Sequence, residues 1–162
     1  MATVYIAPTA QGSADGTSAT NAYAYSSLST AESDAGSGGT IFFLDGTYTA
    51  TAFTWDANGV SYKSLNLHGA TIQGSGSLRN LTIGHYSNST VAHTLEGFVV
   101  NNCKIRSYQS TSSSAKNTIK NNKFTATLAS ATIMESQTQN TTDLINNIFN
   151  LDFDSGSSLS SN

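Results

Sequence analysis

Few residues of this chain could do acid–base, metal or nucleophilic chemistry: ten carboxylates, three histidines and one cysteine in 162 residues. Asp152 and Asp154 flank Phe153. On a strand such a pair shares one face, as paired carboxylates of a glycoside hydrolase or a cation site would. No Lys or Arg follows Lys123, so the pair has no base near it in sequence. It reads as a solvated edge that guards a strand end. Asp143 could join it in a weak cation site, which we do not assign. Glu135 and Glu96 stand alone, Glu96 at least two coils from the other late acids in the register set out below. His68, His85 and His93 lack metal-ligand spacing on one strand. His68 and His85 fall at neighbouring but inequivalent corners. Asp15 sits in a turn-rich loop, where an Asx bond to the following backbone is its expected role. Cys103 fills an apolar slot and reads as a small core residue. No nucleophile elbow, phosphate loop or Cys/His cluster is present. No catalytic, cofactor-binding or metal-ligating residue is therefore expected.

These residues must be carried by a framework, and composition bounds it. The length suits one domain. Apolar residues are 38% and charged residues 10%, both below ordinary usage. Disordered chains pair such polarity with high charge and few aromatics. Here 9% is aromatic, and Ile, Leu, Val and Phe recur at intervals, so a folded β-rich chain is expected. One cysteine allows no internal disulfide. Met1-Ala2-Thr3-Val4-Tyr5 lacks the basic region and apolar run of a signal peptide, and no apolar stretch approaches the roughly 18 residues of a membrane span. The expectation is a product made in a cytoplasm, with no membrane contact. Charge is uneven. Residues 1–62 hold five acids and no Lys or Arg, residues 63–123 hold all seven basic residues and Glu96, and residues 124–162 hold four acids. The basic middle is too sparse in cations and stacking aromatics for nucleic acid.

A repeat organises the chain. The template apolar–x–corner–corner–x–apolar fits at Phe43–Tyr48, Leu67–Ile72, Ile83–Asn88 (weakly), Val100–Ile105, Ile119–Phe124 and Leu144–Phe149. The steps are 24, 16, 17, 19 and 25 residues. Period-2 alternation precedes the anchors in Leu65-Asn66-Leu67 and Leu81-Thr82-Ile83, the mark of a half-buried strand. Tight corners favour Asn, Asp and Gly. The second corner residues are Gly46, Ala70, Tyr86, Cys103, Asn122 and Asn147. Stacked about 4.8 Å apart, they form a structural corner ladder of Gly46, Ala70, Cys103, Asn122 and Asn147, with Tyr86 out of place. The expected fold is all-β: a single-stranded right-handed parallel β-helix of about six coils, with a short N-terminal capping helix. Residues 50–162 form the coils. Residues 1–49 form the cap and first coil, with a strand at Thr3–Pro8 and a helix N-capped by Ser26 or Ser27 that carries Leu28, Ala31 and Ala35.

Ser13-Ala14-Asp15-Gly16-Thr17, followed by Gly39-Thr40-Ile41 through Asp45-Gly46-Thr47-Tyr48, resembles the N-terminal entry of pectate-lyase-like β-helix proteins. The resemblance covers about 50 residues. That superfamily includes polysaccharide lyases, glycoside hydrolases, and phage tailspike and other virion proteins. The lyases need acidic Ca²⁺ ligands with a Lys or Arg base on one coil face, and the hydrolases two or three close carboxylates. This chain supplies neither.

The expected function is thus a non-catalytic structural protein of a virion, assembling as a homotrimer against other particle proteins such as a major capsid protein. A phage head decoration (cement) protein is favoured over a tail fibre or spike, since the chain offers no separate receptor-binding domain. The alternative is carbohydrate binding or degradation, with seven Tyr and Trp55 as stacking faces. A third is an ice-binding solenoid, but Thr47/Thr49 and Thr125/Thr127 do not recur at a constant coil position. The insertion from Leu128 to Thr142 is where a partner contact is expected.

Overall fold

A computed structural model gives the structure of the chain and describes residues 2–50, 52–57, 59–75, 79–84, 91–107, 116–128, 134–136 and 142–153. All its strand pairs are parallel, in three sheets. The first sheet holds β1 (Thr3–Ala7), β2 (Tyr23–Ala24), β3 (Thr40–Phe43), β6 (Ser61–Ser64), β9 (Thr94–Glu96), β12 (Thr118–Lys120) and β15 (Asp143–Ile145). The second holds β4 (Gly46–Ala50), β7 (Ala70–Gly74), β10 (Val99–Asn101), β13 (Lys123–Leu128) and β16 (Ile148–Phe153). The third holds β5 (Phe53–Trp55), β8 (Arg79–Ile83), β11 (Cys103–Ser107) and β14 (Met134–Ser136). From β3 onward the chain visits the sheets in that order and returns to the first. The fold is an all-β solenoid with little helix.

Period-2 sequence makes each strand two-faced. Ile41, Tyr62, Leu95 and Ile119 stack rung on rung and are buried, while Phe42, Lys63, Glu96 and Lys120 alternate with them outward. Inside the second sheet, Tyr48, Ile72, Val100 and Phe124 form the matching buried column. The widest part of the core is aromatic. Trp55 is fully buried and lies 4.8 Å from Phe43, 5.0 Å from Tyr62 and 5.4 Å from Phe98 between ring centroids. The aromatic column fades toward the last strands. There Leu144 and Phe149 still face the core positions Ile119 and Phe124, yet are 45% and 48% exposed.

One α-helix, α1 (Leu28–Ala35), packs Ala31 and Ala35 into the core beside β1 and β3. Ser27 holds its N-cap position without the expected side-chain bond, and Gly36 ends the helix at φ 63°. Among the described residues, no helix is long and apolar enough to cross a membrane.

The pairing corrects the register read from the template. Ile119 and Leu144 do pair. Val100 instead lies in the second sheet against Ile72 and Phe124, and Ile83 in the third against Trp55 and Ser107. Leu67 lies between strands and is 67% exposed. The anchors therefore mark different corners of one cross-section, and counting each as a coil counts one rung, that of Leu67 and Ile83, twice. The missing member is Leu95-Glu96-Gly97-Phe98, where Gly97 takes the left-handed conformation (φ 82°) that Asn121 and Asn146 take in later rungs. The Leu128–Thr142 insertion contains β14, which pairs with Ile105–Ser107 and so extends the third sheet.

Candidate functional site

The corner between the first and second sheets draws together most of the residues that the repeat singled out. Gly46 pairs with Ala70. Ala70, Phe98, Asn122 and Asn147 each stand one residue before the paired positions Thr71, Val99, Lys123 and Ile148. The stack is thus Gly46–Ala70–Phe98–Asn122–Asn147. Cys103 is not in it. It opens β11 opposite Arg79 in the third sheet, just after the left-handed Asn102 (φ 55°). Phe98 holds the place given to Cys103, and Tyr86 lies outside the described residues. Cys103 is buried, which pushes its thiol up to about 11, so it is inert as a nucleophile.

The Asn pairs divide their work. The first Asn turns the backbone (Asn121 φ 56°, Asn146 φ 51°) and the second bonds to the preceding rung. Asn122 Oδ1 accepts the Phe98 N–H at 2.9 Å, and its Nδ2 donates to the Leu95 carbonyl at 3.1 Å. Asn147 Oδ1 accepts the Asn122 N–H at 3.0 Å, and its Nδ2 donates to the Ile119 carbonyl at 2.8 Å. Each amide satisfies one donor and one acceptor of a buried corner, groups that cost about 1–3 kcal/mol each if left unpaired. Asn117, which the template missed, follows the same rule. Its Oδ1 accepts the His93 N–H at 2.9 Å, and its Nδ2 donates to Ser107 Oγ at 2.9 Å. Aligning His93–Val100 with Asn117–Phe124 at a step of 24 would have exposed it.

Charge gathers on the outer face of the first sheet. Lys63, Glu96 and Lys120 are consecutive in register. Glu96 lies 3.3 Å from Lys63 Nζ and 3.4 Å from Lys120 Nζ, and accepts Asn121 Nδ2 at 3.3 Å. Burial pushes this carboxyl up, but the two ammonium groups outweigh it and hold it below the usual range. Beside it is an open depression of about 240 Å³, lined by Phe42, Lys63, Ser64, Leu67, Glu96 and Gly97. Tyr5 and Phe42, stacked at 5.8 Å and half-buried, continue the same outward column. The next column along this face is one of hydroxyls: Thr3, Thr40, Ser61, Thr94 and Thr118. Lys123 lies in the second sheet and Arg79, Lys104 and Arg106 in the third. The basic segment therefore forms no band on one face.

The remaining candidates are dispersed. His68 Nε2 donates to the Asn121 carbonyl at 2.9 Å and braces that corner. His93 is fully buried, with Nε2 3.0 Å from the Ala57 carbonyl and Nδ1 3.2 Å from Asn117 Oδ1; burial lowers its pKa. Asp15 accepts Thr17 Oγ1, Ser13 Oγ and the Thr17 N–H, which bring it to about 2. This is the Asx loop expected of it. Asp143 is exposed at the edge of the first sheet, and Asp152 lies in β16 opposite Thr127. Glu135 lies in β14 opposite Arg106, while His85 and Asp154 fall outside the described residues. Trp55, Tyr48 and Tyr62 are in the core and cannot stack on a ligand. Thr49 and Thr125 share a column, but Gln73 and Asn101 stand between them, while Thr47 aligns with Lys123 and Thr127 with Asp152, so the two T-x-T stretches form no continuous Thr array. Among the described residues, no group of three or more His, Cys, Asp or Glu is placed to hold a metal ion. No family model, curated protein or solved structure matches the chain.

Proposed function

We propose that this protein is a non-catalytic structural component of a virus particle. On this reading it is a right-handed, pectate-lyase-like β-helix, closed at its N-terminal end by α1 and assembled as a homotrimer, a head decoration protein seated on a major capsid protein. One observation carries the reading. The polar side chains that repeat along the solenoid are engaged in holding successive rungs, as Asn122 and Asn147 do, and the carboxylate most central to an outer face, Glu96, is held between two lysines. Purified protein should scatter light with the mass of three chains and co-sediment with particles that lack it. A monomer that ignores such particles would sink the proposal.

The depression beside Phe42 favours a second reading, carbohydrate binding or degradation. It is lined by the half-buried Phe42 ring, the Lys63 ammonium and the Glu96 carboxylate, kinds of group that contact sugars, and Tyr5 stacks on Phe42 beyond it. In a polysaccharide screen, retention of the protein on an immobilised polysaccharide would decide for binding, and new reducing or unsaturated ends for degradation.

A further inference from the structure

We infer that the outer face of the second sheet is the surface through which copies of this chain meet. The inference rests on the trimer reading above. The three sheets differ in the charge that they present outward. The first sheet presents Lys63, Glu96 and Lys120, and its hydroxyl column ends at the exposed Asp143; the third presents Lys104 and Arg106. The second presents Thr49, Gln73, Asn101, Thr125 and Asn150, a single column in register over five strands. Asn101 Nδ2 donates to Gln73 Oε1 at 2.7 Å, and Thr125 Oγ1 donates to Asn101 Oδ1 at 3.0 Å. Lys123 stands in the column to one side, and Asp152, opposite Thr127, in the column to the other.

The occupant follows from symmetry. Around an axis parallel to the solenoid, each side chain nearest the axis meets its own copies at the same height. A charged position there faces its own sign, which is destabilising. An amide or hydroxyl both donates and accepts, so it can bond to an identical group. Copies share the same rung spacing, so a match at one rung is a match at all of them. The neutral column is therefore suited to its own kind, whereas a different partner would be better met by the charged faces.

The experiment places a charge in the column. Thr49→Lys, at an exposed position, and Asn101→Lys should each lower the light-scattering mass threefold, from trimer to monomer. Thr94→Lys, on the first sheet, should keep the wild-type mass. Far-ultraviolet circular dichroism establishes that each variant is folded, and the exposed Thr49 decides the matter if Asn101→Lys does not fold. A trimer unaffected by Thr49→Lys, or broken by Thr94→Lys alone, overturns this assignment and leaves the trimer standing. A wild-type monomer overturns the trimer reading itself.

Discussion

The corner stack Gly46–Ala70–Phe98–Asn122–Asn147 is held differently at its two ends. On its N-terminal side Gly46 and Ala70 are small, and the space beside them is filled by Phe43, Tyr48, Phe98 and Trp55. Gly46 has φ 141°, and a Cβ there would lie 2.7 Å from Pro8 Cγ, so the stack can begin with no side chain at all. On its C-terminal side a single stacked pair, Phe124 and Phe149 at 5.0 Å, continues the rings, and the corner itself is held by Asn bonds to the preceding rung. One backbone course is thus stabilised by dispersion and apolar burial at one end and by satisfied polar groups at the other. Phe98 is the hinge between the two regimes: its ring joins the aromatic cluster, and its N–H is the first served by an Asn.

Substitutions can break or sharpen this contrast. Trp55→Ala removes the largest buried side chain and should cost about 3–5 kcal/mol. A urea titration would read it as a large drop in midpoint, and an unchanged midpoint would refute a rigid aromatic half. Asn122→Ala leaves the Phe98 N–H and the Leu95 carbonyl unserved, for a loss of about 2–4 kcal/mol. Asn122→Asp should not restore it, because a carboxylate cannot donate to Leu95; equal stability of the Asp variant and wild type would count against the ladder. Leu144→Ala should cost only about 1–2 kcal/mol, since nearly half of that side chain is exposed and little cavity forms. A loss as large as that of Trp55→Ala would mean the last rung is covered. The smallest effect is a pH slope. Burial holds His93 below its ordinary value of 6.5, so the unfolded chain binds more protons there than the folded one. Stability present above pH 6.5 is then lost as pH falls through the folded-state pKa. Glu32, raised by burial, acts in the opposite sense and begins to matter only closer to the carboxylate range. Melting temperature should fall between pH 7 and 5.5, and His93→Gln should flatten the fall; an identical slope in that variant would exclude His93 as its source.

The sequence made the architecture legible where its signals were local. Alternation in Leu81-Thr82-Ile83 marked strands, and Asn121-Asn122 and Asn146-Asn147 marked equivalent corners because backbone angle and amide bonding restrict both positions at once. Asn101-Asn102 looked the same and is not. Asn102 turns the chain between the second and third sheets, and Asn101 points outward to Gln73 and Thr125. Dipeptide chemistry cannot distinguish corners that make the same bend. Leu95-Glu96-Gly97-Phe98 was missed for the converse reason: Gly97 supplies the bend, while a ring stands where a polar residue was sought. The charged triplet Lys63, Glu96 and Lys120 is separated by 33 and 24 residues and becomes visible only through strand pairing. The burial of Trp55 likewise depends on three rungs meeting around it.

The amide ladder has a direction. Asn117 and Asn122 serve the backbone of the rung of His93 and Phe98, and Asn147 serves that of Asn122; the one forward side-chain bond from Asn122 or Asn147, Asn122 Nδ2 to Asn147 Oδ1 at 3.2 Å, joins amide to amide and serves no backbone group of the later rung. A rung is therefore completed by its successor. Removing the rung of Asn147 would strip the Asn122 N–H and the Ile119 carbonyl of their partners and take the Asn147 Oδ1 contact from Asn122 Nδ2, but would leave the Asn122 bonds to Phe98 and Leu95 in place. Damage from the C-terminal side thus travels back through the ladder by one rung and stops. The solenoid is built like overlapping roof tiles, each held down by the next.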